Sequence, residues 1–193
     1  MANFKKAYDK TMGHEGGYTH DPDDVGGETY KGIARKYHAT WEGWAIIDAE
    51  KSKASFPGCL NSNAQLQVMV EKLYKQMYWD VNLLDEISNQ DIAEEMFDTG
   101  VNMGVGRASR FLQESLYYLN RNGKLFPDLV VDGKIGKKTL EAINVLLHNG
   151  EASFIYKILN ICQGRHYLSY MTKSPTQEKF ARGWLKRVDF IKH

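Results

Sequence analysis

The sequence is poor in cysteine, in net charge and in long apolar runs, and each shortage excludes a class of protein. Its 193 residues include two cysteines, Cys59 and Cys162, which lie far apart and belong to no metal-ligand spacing. The sequence permits one disulfide between these two cysteines but does not require it. Cys162 lies in an apolar helical pattern, which indicates a small core residue.

Charge is almost balanced, with 25 lysines and arginines against 24 aspartates and glutamates. A dedicated nucleic-acid binder usually carries a strong basic excess, so we expect no nucleic-acid partner. The balance is uneven along the chain, because residues 173–193 hold six basic and two acidic side chains. This local excess indicates either a solvated helix face or contact with an anionic polymer.

No apolar run approaches the length that crosses a membrane, and the first residues lack the apolar core of a signal peptide. We therefore expect synthesis in the cytoplasm without a signal peptide, and no membrane insertion. If such a protein works outside the cytoplasm, something else must release it.

Spacings for metal and nucleophilic chemistry are also missing. The sequence has no H-x-x-x-H or C-x-x-C pair, which disfavours a zinc amidase or endopeptidase. It has no G-x-S-x-G motif and no paired catalytic cysteine and histidine. We expect neither a metal nor an organic cofactor.

The hydrophobic pattern predicts an all-α fold, or a mainly helical α+β fold, with a small hairpin or loop near the N-terminus. Phe4, Tyr8 and Met12 recur every four residues and predict a first helix that ends before two glycines. Residues 18–29 are rich in turn formers and are compatible with a short hairpin. Further helices are predicted at 31–38, 41–51, 62–77, 92–102, 105–120, 140–147, 154–168 and 175–191.

Two of these helices carry start signals. Ser62 and Gln65 form a capping-box pattern before a long helix, and Ser174-Pro175-Thr176-Gln177 is a second such pattern. Buried stripes are predicted for the two last helices. These stripes are Phe154, Ile158, Cys162 and Leu168, and then Phe180, Trp184, Val188 and Ile191.

A cluster of carboxylates follows the first helix. Glu15 is a candidate general acid, because the negative end of a helix and burial in a cleft both disfavour its ionisation. Asp24, nine residues later, is a candidate ionised partner that stabilises positive charge on a sugar or activates water. The plainer alternatives are a surface helix end and a turn residue. Thr29 and Tyr30 are candidates to bind substrate through their hydroxyls, or ordinary hairpin residues.

Asp98 and Asn102 are a second polar pair, spaced i, i+4 on one helix face. Gly100 and Gly104 lie close by, so this face either packs tightly or leaves room for a sugar chain. The pair is a candidate substrate-binding site, with Asn102 hydrogen-bonding a saccharide. The alternative is an internal polar contact that fixes the hairpin on the helix.

Together these motifs resemble glycoside hydrolase family 108. The resemblance rests on E-G-G-Y, D-P-D-D-x-G-G-E-T and G-I between Glu15 and Ile33, and on Phe97–Gly104. It continues through Leu112-Gln113 and through Val131-Asp132-Gly133 with Gly136 and Thr139. The family comprises bacteriolytic N-acetylmuramidases of phage and bacterial origin, some labelled secretion activator proteins. The resemblance implies a lysozyme-like fold and cleavage of the β-1,4 bond between N-acetylmuramic acid and N-acetylglucosamine.

A more distant similarity concerns phage-type lysozymes, which use a Glu, an Asp and a Thr before a Gly-Ile pair. Alignment on Gly32-Ile33 places the first two on Glu15 and Asp24. The third position falls on Tyr30, with Thr29 one residue early. This departure leaves open which hydroxyl takes the role of the threonine.

The resemblance also implies a division of the chain and a partner. Residues 1–103 would form the lysozyme-like catalytic region. Residues 104–193 would form a helical region with a predicted peptidoglycan-binding motif at Val131–Thr139, packed as one compact unit with the first. Local structure alone also explains this motif, since Asp132-Gly133 makes a turn and Thr139 bonds back to the loop. The expected partner is the peptidoglycan glycan strand, reached in the periplasm or outside after non-classical release by a holin or an export system.

Two alternatives differ from a muramidase in what they require of the carboxylates. A lytic transglycosylase uses one Glu and gives an anhydro product, so Asp24 would be dispensable. A non-catalytic wall-binding or secretion-accessory protein requires neither group. Substitution of Glu15 discriminates between catalysis and an accessory role.

Overall fold

The structure, a computed structural model, describes residues 1–12, 16–20 and 27–189. Its α-helices and strands, in chain order, are α1 (Phe4–Met12), β1 (Tyr18–His20), β2 (Glu28–Tyr30), β3 (Ile33–Ala34), α2 (Gly43–Glu50), α3 (Ala64–Tyr74), α4 (Gln90–Met103), α5 (Val105–Leu119), α6 (Lys137–His148), α7 (Ala152–Lys173) and α8 (Ala181–Leu185). The predicted mainly helical fold with a small hairpin is confirmed. Over these ranges no helix has both the length and the apolar character that a membrane span needs.

The chain forms two compact units. The sheet unit comprises residues 8–77 and the helical unit comprises residues 1–7 and 78–193. The division falls within α1 and within the π-helical segment Lys75–Trp79.

The sheet unit is built around a three-stranded antiparallel sheet in the order β1-β2-β3. Thr29 of the central strand pairs with Thr19 on one side and with Ala34 on the other. Side chains alternate between faces along a strand, so Glu28 and Tyr30 share the buried face. The core of this unit contains Tyr30, Ile33, Trp44, Ile47, Leu60, Leu66 and Val70.

The helix predicted at residues 31–38 is wrong. Lys31 and Gly32 adopt positive φ angles of 45° and 76°, which reverse the chain between β2 and β3. Such backbone cannot propagate a helix, because helical residues need negative φ. The structure places β3 and two turns in this segment instead.

The N-cap of α3 is one residue later than predicted. The side chain of Asn63 accepts a hydrogen bond from the backbone N–H of Leu66 at 3.0 Å. The hydroxyl of Ser62 donates to the carbonyl of Cys59 and closes a preceding 3-10 turn, so the predicted capping box does not form. An amide oxygen at the N-cap satisfies one of the donors that the first helical turn leaves unpaired.

The helical unit is centred on α4, α5 and α7, which pack against one another. Gly104, with φ of 91°, ends α4 and lets α5 begin at the next residue. Phe4 contributes to this core through edge contacts with Trp79 and Phe97 at ring distances of 5.5 and 5.6 Å. Fully buried aliphatic side chains fill the remaining interior, namely Ile92, Met96, Leu112, Leu116, Ile143, Leu146 and Ile155.

The buried stripes predicted for the last two helices are largely wrong. On α7, Phe154 and Leu168 are 52% and 56% exposed, whereas Ile155 and Leu159 are buried. Cys162 is buried as predicted. The final predicted helix is a 3-10 segment (Pro175–Phe180) followed by α8, and neither has a buried side chain. The predicted stripe member Ile191 lies outside the described residues.

The Asn63 cap yields a prediction with a matched control in the neighbouring residue. Asn63→Ala should lower the free energy of unfolding by about 1 kcal/mol, because a helix N–H loses its acceptor. Ser62→Ala should lower it by less than about 0.5 kcal/mol, since its side chain is exposed. Urea unfolding monitored by circular dichroism measures both. A larger loss of unfolding free energy in Ser62→Ala than in Asn63→Ala would contradict this assignment and favour the predicted capping box at Ser62.

Candidate active site

The two candidate catalytic carboxylates flank β1 in sequence, and both lie outside the described residues. Glu15 precedes β1, and Asp24 belongs to the connection from β1 to β2. The structure describes the strands on either side of that connection. The residues that hold β1 and β2 in place therefore fix the two ends of that connection.

The two candidate hydroxyls differ in exposure. Thr29 is partly exposed, and its hydroxyl donates to the carbonyl of Gly27 at 3.3 Å. Tyr30 is fully buried, and its hydroxyl accepts from Nε2 of Gln67 and donates to the carbonyl of Leu60. As placed, Tyr30 presents no surface to a sugar, whereas Thr29 does.

Glu28 is a residue whose importance the sequence analysis missed. Its side chain is buried, yet it carries a carboxylate with three partners. The Tyr18 hydroxyl donates to Oε1 at 2.9 Å, and Lys51 Nζ lies 2.7 Å from the same oxygen. Arg35 Nη1 donates to Oε2 at 2.5 Å. Arg35 and Lys51 also pair with Asp48 on α2, so the cluster ties β1 and β2 to that helix.

This cluster determines the charge state of Glu28. Burial by itself would raise the pKa of the Glu28 carboxyl. Hydrogen bonds from Lys51, Arg35 and Tyr18 outweigh burial and hold the pKa below its usual value. Hydrogen bonds from Arg35 and Lys51 likewise hold the pKa of Asp48 far below its usual range. Glu28 is therefore an ionised structural anchor, which is unsuited to act as a general acid near neutral pH.

A signal for Glu28 is present in the sequence. Strand alternation places it on the same face as Tyr30, and a buried carboxylate requires charged partners. Arg35 is seven residues further along, and the reversal at Lys31-Gly32 brings it back to the strand.

The predicted pair on α4 is split between two roles. Asp98 forms an ion pair with Arg187, whose Nη1 donates a hydrogen bond to Asp98 Oδ1 at 2.6 Å. Asn102 is exposed, and its side-chain nitrogen donates to the backbone carbonyl of Asp98 at 2.8 Å. Asp98 thus holds the C-terminal segment on α4, while Asn102 lines a cavity in the helical unit.

The Asp132-Gly133 motif is fastened to α5. Gln113 is buried, and its Nε2 donates to Asp132 Oδ1 at 2.9 Å and to the carbonyl of Lys134 at 3.0 Å. Its Oε1 accepts from the backbone N–H of Gly133 at 2.8 Å. A Cβ on Gly133, whose φ is 80°, would lie 2.8 Å from the carbonyl oxygen of Gly106. Arg110 Nη1 also donates to the carbonyl of Val131 at 3.4 Å, whereas Thr139 makes no hydrogen bond to this loop among the described residues.

Two of the tryptophan side chains belong to the core of their own unit. Trp44 is 2% exposed within the sheet unit, and Trp79 is fully buried in the helical unit. Trp41 is partly exposed and lines a cavity of about 230 Å³ together with Glu42 and Lys72.

Both cysteines are free thiols.

Two family models divide the chain near the α4–α5 junction. The model described as glycosyl hydrolase 108 matches residues 8–104, which is half of the chain. This chain belongs to the glycosyl hydrolase 108 family. A second model, described as a predicted peptidoglycan domain, matches residues 107–189. The two matches support a peptidoglycan-related glycoside hydrolase role.

Similarity to known proteins beyond the family models is structural. The solved structure of SagA from Brucella abortus matches with a TM-score of 0.60 and 23% identity, over 96% of this chain and 88% of that one. At this identity the likeness shows the fold alone, which is consistent with the expected mainly helical, lysozyme-like fold class. No curated protein gives a significant match.

The Glu28 cluster predicts a pH-dependent stability. Glu28→Gln should lower the free energy of unfolding by about 1–3 kcal/mol at pH 7, because Arg35 and Lys51 lose a buried charged acceptor. Since the folded pKa of Glu28 is lowered, its contribution is present above the unfolded pKa and is lost as the pH falls. The difference between the two proteins should therefore shrink at about pH 3. Urea unfolding at the two pH values measures it.

Glu42→Gln provides the control for this comparison. Glu42 is an exposed carboxylate in the same unit, with no ion-pair partner among the described residues. Its substitution should change stability by less than about 0.5 kcal/mol at either pH. Equal effects of the two substitutions at pH 7 would contradict the anchoring role of Glu28.

Proposed function

We propose that this protein is an N-acetylmuramidase that hydrolyses the β-1,4 bond between N-acetylmuramic acid and N-acetylglucosamine in peptidoglycan. The observation that carries the proposal is the E-G-G-Y and D-P-D-D-x-G-G-E-T sequence within the segment matched by the glycosyl hydrolase 108 model. The adjoining match to a predicted peptidoglycan domain supports the choice of substrate.

In the proposed reaction, Glu15 is the general acid. Its protonated carboxyl donates a proton to the glycosidic oxygen as the bond from that oxygen to C1 of the muramyl sugar breaks. The electron pair of that bond leaves with the oxygen, and positive charge develops on the sugar ring. Asp24 stabilises this charge as a carboxylate or activates the water that adds to C1. No metal or organic cofactor enters these steps.

The described residues support this division of labour. Glu28 is held ionised by Arg35 and Lys51, so it is committed to anchoring β2 rather than to proton transfer. Thr29 lies on the opposite face of the same strand. Of the two candidate residues Thr29 and Tyr30, Thr29 has the exposed surface. We therefore propose Thr29, rather than Tyr30, as the residue that contacts substrate or water.

The cellular setting is part of the proposal. The enzyme would be synthesised in the cytoplasm without a signal peptide and would reach the wall by non-classical release. A holin or an export system would supply that route. Its substrate there would be the glycan strand of peptidoglycan.

Digestion of purified peptidoglycan, followed by mass spectrometry of the soluble fragments, tests the catalytic roles. Glu15→Gln should reduce the rate of fragment release at least about a hundredfold, because the general acid is lost. Asp24→Asn should reduce it by a similar or smaller factor. Asp23→Asn, at the preceding position in the sequence, is the matched control and should retain nearly full activity.

The fragments themselves discriminate between mechanisms. Wild-type protein should release muropeptides with reducing ends. Anhydro-muropeptides, together with full activity of Asp24→Asn, would make the protein a lytic transglycosylase. Wall binding by wild type and Glu15→Gln alike, with no fragments from either, would favour a wall-binding or secretion-accessory role.

A further inference from the structure

A cavity of about 390 Å³ in the helical unit is lined by aromatic side chains and, among the described residues, by one arginine. It lies where the end of α4 and the start of α5 meet α7 and α8. Its lining includes Asn102, Arg107, His166, Tyr167, Tyr170 and Trp184. Its volume falls in the range of small-ligand sites, and a monosaccharide with a short peptide would occupy it.

The aromatic side chains form two stacked pairs. Trp184 stacks on Tyr167 with ring centroids 5.2 Å apart and planes 14° apart. Tyr170 stacks on His166 with an angle of 8° between the rings. Tyr170 is 46% exposed and Trp184 is partly exposed, so both present apolar surface to the cavity. Rigid aromatic surface of this kind packs against the C–H groups of a sugar or against a peptide plane.

The charge of the cavity is positive. Arg107 donates one hydrogen bond to the carbonyl of Met103 at 2.7 Å, and it has no carboxylate partner in the described part of the chain. Burial, together with the charges of Arg107 and Lys173, lowers the pKa of His166. None of the described lining residues is acidic. A ligand that carries an anionic group would neutralise Arg107.

A buried donor in the cavity wall also lacks a partner. Tyr167 is 4% exposed, and its hydroxyl makes no hydrogen bond within the described residues. Burial and the nearby Asp98 raise the pKa of Tyr167, so the hydroxyl remains protonated. A buried polar group without a partner is rare in native proteins and costs stability.

We propose that this cavity binds a muramyl peptide, with the carboxylate of the peptide on Arg107 and the sugar against Tyr170 and Trp184. Asn102 lies at the same cavity and offers an amide to the N-acetyl group or the peptide. This inference rests on the proposed function, because it takes its ligand from the proposed substrate. It adds a binding site, formed by residues between 102 and 184, that selects wall material by its charge.

Binding of muramyl dipeptide, which contains no β-1,4 bond and cannot be hydrolysed, tests the site apart from catalysis. Titration of the full-length protein, followed by the tryptophan indole N–H resonances, should move the signal of Trp184. Conversion of the ligand carboxylate to a carboxamide should weaken binding about tenfold or more, because the charge-assisted contact with Arg107 is lost. Arg107→Gln should weaken binding of the acid by a similar factor and leave binding of the carboxamide unchanged.

Two further variants serve as controls. Arg107→Lys keeps the charge and should retain more affinity than Arg107→Gln. Arg182→Gln removes an exposed cation from α8 outside the cavity and should bind as wild type does. Thermal unfolding checks that each variant is folded, and if Arg107→Gln is not, the comparison of acid with carboxamide decides alone.

Three results would overturn the inference. These are equal affinity for the acid and its carboxamide, wild-type affinity in a folded Arg107→Gln, and equal binding of glycerol phosphate, which would indicate a general anion site. Any of these results combined with loss of peptidoglycan digestion in Glu15→Gln would leave the proposed muramidase intact. Conversely, specific binding with no digestion by wild type would refute the muramidase and keep the binding site.

Discussion

A buried carboxylate constrains the part of the chain that carries the proposed chemistry. Glu28 is 9% exposed and would be costly to bury alone, so the fold must supply cations and a hydroxyl around it. Arg35 reaches it because the chain reverses after β2, and Lys51 reaches it from the end of α2. The segment that contains Asp24 therefore joins strands whose positions are fixed by charge. Such fixed ends favour a precise placement of catalytic groups.

The helical unit uses a neutral side chain for a comparable purpose. Gln113 bonds through both of its amide atoms to the Asp132–Lys134 loop, and the close approach of Gly133 to α5 excludes a larger residue. The D-G motif is thus explained by packing and hydrogen bonding within the unit. For this reason our proposal for ligand binding rests on the cavity beside α7 and α8 and not on that motif.

The sequence predicted elements with strong local signals and missed those determined by tertiary contacts. The four-residue period of Phe4, Tyr8 and Met12 identified α1, and the turn formers after it identified the hairpin. The helix predicted at 31–38 failed because the positive φ angles of Lys31 and Gly32 reverse the chain there. The stripe predicted for the final helix failed because this segment forms a 3-10 helix and a short α-helix without buried side chains, and Trp184 stacks on Tyr167 of α7. Motif resemblance nominated Glu15, Asp24 and Asn102 as site residues, and these roles stay predictions. The ion-pair partners of Glu28 and Asp98 depend on tertiary contacts that the spacing of residues in the sequence does not encode.

The central claim is that water adds to the muramyl sugar, and isotope labelling tests it most directly. Peptidoglycan would be digested in water enriched in heavy oxygen, with immediate borohydride reduction to prevent later exchange at C1. Hydrolysis should leave one heavy oxygen atom at the reduced muramyl end of each released fragment. Fragments without the label, or with an anhydro end, would contradict hydrolysis by this protein.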